Sequence, residues 1–248
     1  MTGEINVVKR SGKSETLDIN KLHVMVEAAC EGIAGVSVSQ VEMSSQIQFF
    51  DGITTEQIQQ ILVNSASNLI TVENPNYQFV AARLMLFALR KEVYGKMHEL
   101  ISVREQAEKG VAAGVYDKEI LTLYSPEEFD ELESIIDHDR DYIFTFAGLR
   151  QVIDKYLVQD RTAGTMYETP QFMYLLVAAT MFSRYPKATR LSYVKRYYDA
   201  TSKHRINIPT PVMAGVRTPL RQYASCVLID SDDSLDSIFS SDMAIGRY

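Results

Sequence analysis

Behind Thr169-Pro170 the chain runs Gln171-Phe172-Met173-Tyr174-Leu175-Leu176-Val177-Ala178-Ala179, an almost unbroken apolar stretch. A surface helix shows one apolar stripe, whereas a helix apolar on every side has to be enclosed by other elements. The stretch therefore predicts a central helix lying in a core. Its surroundings agree, because residues 97 to about 202 are mostly helical in pattern. Pro126 with Glu127-Glu128 marks a helix start, and Pro186 and Thr189 precede a helix containing Tyr193, Val194, Tyr197 and Tyr198.

The first 95 residues follow a different plan. Ile5 to Arg10 and Glu15 to Ile19 flank the turn Ser11-Gly12-Lys13-Ser14, which reads as a β-hairpin. Asn20 is the expected cap of a helix running to about Cys30, and a second helix fits Ser39 to Phe50. Thr54-Thr55-Glu56-Gln57 has capping-box spacing, and Ile58, Ile61, Leu62, Ser65 and Leu69 then share one face of a third helix. Pro75 suits the first turn of a fourth, carrying Phe79, Val80, Leu84, Phe87 and Leu89 before Gly95. A hairpin and a small helical bundle make a self-contained unit.

Bulk properties exclude several classes. The 248 residues carry a net charge of −7 with no long basic run, which disfavours a nucleic-acid-binding surface. No apolar stretch reaches membrane-spanning length, and residues 1–4 lack the features of a signal peptide. The two cysteines, Cys30 and Cys226, lie far apart, unlike a secreted disulfide framework. The expectation is a soluble cytoplasmic protein.

Cys226 opens the apolar run Val227-Leu228-Ile229, which reads as a buried strand with few strand candidates before it. Asp233 or Ser234 would cap a last helix through Ile245. A thiol at the start of such a strand is either a small core side chain or a redox group on rigid scaffolding, and local sequence leaves both open. Cys30, in an apolar helical stretch, reads as a core residue.

Two other features are misleading. Gly12-Lys13-Ser14 ends like a phosphate-binding P-loop, but position 7 is Val where the earlier glycine belongs, and a strand follows instead of a helix. Lys9, Arg10 and Lys13 with Lys21 could still hold a triphosphate, although spacing alone favours a solvated turn. Asp137-His138-Asp139-Arg140-Asp141 has no paired-ligand spacing with His23, His98 or His204, so it reads as caps and ion pairs, with no metal site.

Taken together, several stretches resemble the large catalytic subunit of class I ribonucleotide reductase. Val8-Lys9-Arg10, Gly12, Glu15 and Asp18 to Leu22 resemble its N-terminal ATP-cone, as do Asp51-Gly52-Ile53-Thr54-Thr55 and Ala81-Ala82-Arg83-Leu84 through Leu89-Arg90-Lys91. Tyr156 to Arg161 and Glu168 to Phe172 resemble the helical region before the catalytic barrel. Pro209-Thr210-Pro211, Gly215-Val216-Arg217-Thr218-Pro219 and Ser225-Cys226-Val227-Leu228 resemble the barrel's first strand. The implied fold is α+β and mainly helical. It comprises an ATP-cone (residues 1–95), a helical domain (96–205) and the start of a ten-stranded α/β barrel (206–248) completed elsewhere.

The resemblance also implies roles. Cys226 matches one member of a redox pair that supplies electrons while the ribose 2′-hydroxyl leaves as water, a task suited to thiols that exchange two electrons by forming a disulfide. Thr210 and Ser225 match substrate-binding positions. Asp233, Ser234 and Leu235 match the start of the specificity site, where a nucleoside triphosphate (dNTP) selects the base to be reduced. Lys9, Glu15, Thr16, Leu17, Asp18, Ile19, Asn20, Lys21, Thr55 and Lys91 match positions that hold ATP or dATP as allosteric effectors. Relatives often carry histidine where this chain has Gln59 and Ala88.

The family's radical cysteine, its Asn and Glu helpers and the redox partner of Cys226 lie downstream of the matched region. The implied partners are the C-terminal remainder of the large subunit, a small subunit bearing the radical metal cofactor, a thioredoxin- or glutaredoxin-type reductant, and further large subunits. No metal is expected on this chain. Two rivals accompany this reading: a non-catalytic ATP/dATP-sensing fragment, and a truncated sequence.

Overall fold

The computed structural model describes residues 5–98, 100–220 and 222–247. The expectation that residues 1–4 lack signal-peptide features falls outside them.

Asn6–Val8 (β1) and Ser14–Thr16 (β2) pair antiparallel, with Val7 opposite Glu15. Gly12, at φ 80°, turns the hairpin in a conformation that side-chain-bearing residues avoid. Sequence reasoning missed a third strand, Ile53–Thr54 (β3), which pairs parallel with β1 and places Val7 beside Ile53. Two residues are too few for an alternation pattern to show.

Three helices wrap this sheet: Ile19–Cys30 (α1), Val38–Gln46 (α2) and Thr55–Asn68 (α3). The cap of α1 is Asp18 rather than Asn20: its carboxylate accepts from the backbone N–H of Asn20 and Lys21. Ser37 caps α2, which starts one residue before the expected Ser39 and ends at Gln46, short of Phe50. The capping box of α3 forms as its spacing requires, Thr54 and Gln57 each bonding the other's backbone N–H.

Tyr77–Tyr94 (α4) packs against α3 and α1 and ends at Gly95, which is left-handed at φ 74°. Its last turns also meet the helical region. Val103–Ala112 (α5), Glu119–Leu123 (α6), Pro126–Ile135 (α7), a 3₁₀ turn over His138–Ile143 and Phe146–Lys155 (α8) follow. Gln159–Asp160 (β4) and Thr165–Met166 (β5) form a small antiparallel pair.

Pro170–Phe182 (α9) is the central helix its composition demands, buried from Pro170 to Ala179. It packs on Lys187–Ser202 (α10) and on the short helix Thr210–Gly215 (α11). A buried network fixes this arrangement. Both Glu168 oxygens receive the Arg217 guanidinium, Tyr116 donates to Glu168 at 2.6 Å, and the backbone N–H of Val158 donates at 2.7 Å. Satisfying every polar atom is the condition for keeping such charges in a core.

The strand expected at Val227-Leu228-Ile229 is a correction. Residues 222–234 have no regular secondary structure, and Leu228 is 99% exposed. A strand needs partners on its edges, and the described residues of the chain place none beside this one. Beyond it, Leu235–Arg247 (α12) forms, with the Ser234 hydroxyl accepting from the N–H of Ser237 as a cap.

Candidate functional site

Four elements converge on a cavity of about 240 Å³ in the first 97 residues: the hairpin, the N-terminal turns of α1 and α3, and the last turn of α4. Its apolar wall is built from Val7, Leu17, Leu22, Met25, Ile58 and Met97. Val7 lies on β1, Leu22 and Met25 on α1 and Ile58 on α3, while Leu17 and Met97 come from the connections beside them.

The polar wall is cationic. Lys9 leaves β1 and pairs with Glu15 on β2 at 2.7 Å, and Lys21 lies 3.6 Å from Asp18 and 4.0 Å from Glu15. The Lys9 ammonium holds the Glu15 carboxyl below the usual range by its hydrogen bond. Lys91 comes in from α4. Burial pulls its pKa down, and the positive charges of Arg10 and Lys9 pull it further. Three lysines thus face one cavity without enough carboxylate to neutralise them, and the field there favours a multiply charged anion.

The helix geometry adds to this. Thr55 is the first residue of α3, so its hydroxyl and the free N–H groups of the opening turn sit at the positive end of the helix dipole. Arg10 closes the side: its guanidinium bonds Glu56 at 2.5 Å and the Lys91 carbonyl at 3.0 Å. An apolar wall facing a cluster of cations suits a nucleoside bearing phosphates.

Of the residues expected here, Lys9, Glu15, Thr16, Leu17, Asp18, Lys21, Thr55 and Lys91 line the cavity. Ile19 and Asn20 do not; they start α1 with exposed side chains. Sequence reasoning missed Val7, Leu22, Met25, Ile58 and Met97 as wall residues, although the spacing of Leu22 and Met25 on α1 is the signal of a shared face. Gln59 also lines the wall and donates to the Leu84 carbonyl at 2.8 Å. Ala88 lines a neighbouring crevice that shares Gln59 and also contains Arg10.

The second group of expected residues lies apart from this cavity. Thr210 opens α11, its hydroxyl 3.3 Å from that of Tyr156. Ser225 and Cys226 are exposed, with Oγ and Sγ 3.8 Å apart. Asp233 and Ser234 directly precede α12 and Leu235 begins it, all three exposed. Cys30, by contrast, is buried, and burial pushes its thiol up to about 11. Among the described residues no group of three or more His, Cys, Asp or Glu is placed to hold a metal ion, and no helix is long and apolar enough to cross a membrane.

Comparison with known proteins places this geometry. Residues 5–92 match the ATP cone domain, and residues 142–221 match the all-alpha domain of ribonucleotide reductase. The chain is 48% identical over all 248 residues to the ribonucleoside-diphosphate reductase 1 subunit alpha of Escherichia coli, covering 32% of that protein. It is 48% identical to the subunit alpha of Haemophilus influenzae, covering 33%, and 33% identical over 241 residues to that of Helicobacter pylori, covering 29%. The chain therefore spans about a third of the length of the curated relatives it matches, at their N-terminal part.

Proposed function

We propose that this chain, whose residues 5–92 and 142–221 are the ATP cone and all-alpha domains of ribonucleotide reductase, supplies the nucleotide-sensing part and one reducing thiol of a ribonucleoside-diphosphate reductase large subunit. The observation that carries the reading is the lysine-lined cavity, whose lining residues, Met97 apart, lie within the segment matching the ATP cone. ATP and dATP are its proposed occupants. The base would lie on the apolar wall, and the phosphates would meet Lys9, Lys21, Lys91 and the first turn of α3.

The reducing role falls to Cys226. With a second thiol from the remaining two thirds of a large subunit, it would give up two electrons and two protons, forming a disulfide as the ribose 2′-hydroxyl leaves as water. Thr210 and Ser225 would hold the substrate nucleotide. Asp233, Ser234 and Leu235 would begin the dNTP specificity site. The reaction calls for a radical-generating small subunit that carries the metal, a thioredoxin-type reductant and association with further large subunits, in the cytoplasm.

A two-part experiment tests this. Calorimetric titration of the chain with MgATP and with dATP should give saturable binding, weakened at least about tenfold by Lys91→Met, since each lost phosphate contact is a charge-assisted bond. In a complete reductase assembled with the other parts, Cys226→Ser should abolish nucleotide reduction and leave ATP binding unchanged. Full turnover by the Cys226→Ser enzyme would remove the catalytic role and leave a purely sensing module. Absence of nucleotide binding would remove the sensing role.

A further inference from the structure

Building on the substrate role proposed above for Thr210, on which this reading rests, we propose that Tyr156 is a positioning residue of the substrate site. It sets the Thr210 hydroxyl as a hydrogen-bond donor toward an acceptor oxygen of the bound ribonucleotide.

Tyr156 directly follows α8, and Thr210 is the first residue of α11. One buried guanidinium ties the two elements together. Arg217 is fully enclosed; it donates through Nη2 to the Tyr156 carbonyl at 2.9 Å and through Nη1 to the Met213 carbonyl of α11 at 2.5 Å. Glu168 takes its charge on the other side. The backbone of Tyr156 is therefore fixed against α11 by bonds that involve neither its own side chain nor Thr210. That placement brings the Tyr156 Oη to 3.3 Å from the Thr210 Oγ1.

The contact has a direction. Gln151 on α8 donates through Nε2 to the Tyr156 Oη, also at 3.3 Å. An amide nitrogen only donates, so the phenol oxygen accepts there and its own O–H is left to donate to Thr210. The Thr210 oxygen then accepts and still has a hydrogen to place. Among the described residues it has no other hydrogen-bond partner. A hydroxyl that already accepts is the better donor, because successive hydrogen bonds polarise one another. Its hydrogen is met by an oxygen from outside the chain, and the phosphate and sugar oxygens of a nucleotide are acceptors of that kind.

The location agrees. A Cβ added to Gly215, the last residue of α11, would stand 3.6 Å from the Tyr223 ring. The segment leading to Ser225 and Cys226 thus lies against one end of the short helix that Thr210 begins.

The test is steady-state reduction of cytidine diphosphate by a reductase assembled from this chain, the remainder of a large subunit and a small subunit. Tyr156→Phe keeps the ring and removes only the hydroxyl. It should raise KM about fivefold, the factor one neutral hydrogen bond is worth, with kcat changed less than about twofold. Gln151→Leu should give a smaller rise in the same direction. Thr210→Val should raise KM at least as much as Tyr156→Phe. The double variant Tyr156→Phe/Thr210→Val should be no worse than Thr210→Val alone, because the two hydroxyls act as one unit. MgATP binding and melting temperature should match the parent throughout, which separates positioning from loss of fold. A Thr210→Val enzyme with the parent's KM would remove the substrate role of Thr210, and that of Tyr156 with it. A raised KM in Thr210→Val beside an unchanged Tyr156→Phe, or additive effects in the double variant, would overturn the positioning role alone.

Discussion

Arg90 and Asp141 form a buried ion pair, Nη2 to Oδ2 at 3.1 Å, across the junction between α4 and the 3₁₀ turn over His138–Ile143. The same Nη2 donates to the His138 carbonyl at 2.9 Å, and Asp141 accepts from Gln171 at 2.9 Å. Arg90 directly precedes Lys91, which lines the lysine-rich cavity. One helix therefore carries one of the cavity's lysines and, through Asp141 and Gln171, an anchor to α9, so the cavity-bearing N-terminal part is tied to α9 by charge as well as by chain.

Replacing Arg90 by Met leaves the Asp141 carboxylate buried with only Gln171 to satisfy it. Breaking one partner of such a pair costs about 3–5 kcal/mol. The double change Arg90→Met/Asp141→Leu removes both charges and should recover more than half of that loss. Urea unfolding followed by circular dichroism measures both. A single variant within about 1 kcal/mol of the parent, the range of exposed pairs, would show that the junction is open to water.

Gly110 faces a different constraint. A Cβ added there would stand 2.1 Å from Cδ2 of Tyr116. The ring cannot swing aside, because its hydroxyl donates to Glu168 and accepts from Gln106 at 2.9 Å. Gly110→Ala should destabilise the chain by about 1–3 kcal/mol or more through overpacking. Gly246→Ala, with open space in α12, should be neutral or slightly favourable to the helix. The pair of melting temperatures separates steric cost from any general effect of losing a glycine.

His138 makes stability depend on pH. Burial, aided by the nearby Arg90 charge, lowers its pKa to about 4 from 6.5. The folded state therefore keeps the ring neutral while the unfolded chain binds a proton, and stability is lost as pH falls from about 6.5 toward 4. Burial pushes Asp141 the other way, up to about 6, against the pull of Arg90. A buried acid of raised pKa favours the folded state as pH falls, so the two groups oppose each other. His138→Phe should leave the acid-favouring group alone, making the change in stability from pH 7 to pH 5 more favourable than the parent's by roughly 2 kcal/mol. Identical slopes in urea titrations would sink the assignment.

Local features were legible in the sequence. The capping box Thr54–Gln57 depends on residues three apart, the proline at the start of α9 needs no partner, and the apolar run behind it could only be a core helix. Features made by distant pairs were not legible. Nothing local tells Glu168 that Arg217 will reach it, or places Ile53 beside Val7. The cavity was half visible: its lysines carry a charge pattern and a family resemblance, while its apolar wall depends on how three helices lean together. Apolarity alone suggested a buried strand at Val227-Leu228-Ile229, yet burial is a property of partners and not of composition.

The two thiols should separate sharply by reactivity. Cys226 is exposed on a segment without regular structure, whereas Cys30 is buried with its pKa pushed up to about 11. At pH 8 a thiol of that pKa is ionised to only about one part in a thousand, and the thiolate is the reacting form. Ellman's reagent should therefore modify one equivalent quickly and release the second only on unfolding. Cys226→Ser should delete the fast phase, and Cys30→Ala should leave it unchanged. When the remainder of a large subunit is added, the fast phase should slow if Cys226 takes the reducing role proposed above, because a thiol enclosed beside a second cysteine is no longer open to a bulky reagent. An unchanged fast phase in the assembled enzyme would mean that Cys226 stays outside the barrel, and the thiol would then have no route to the ribose.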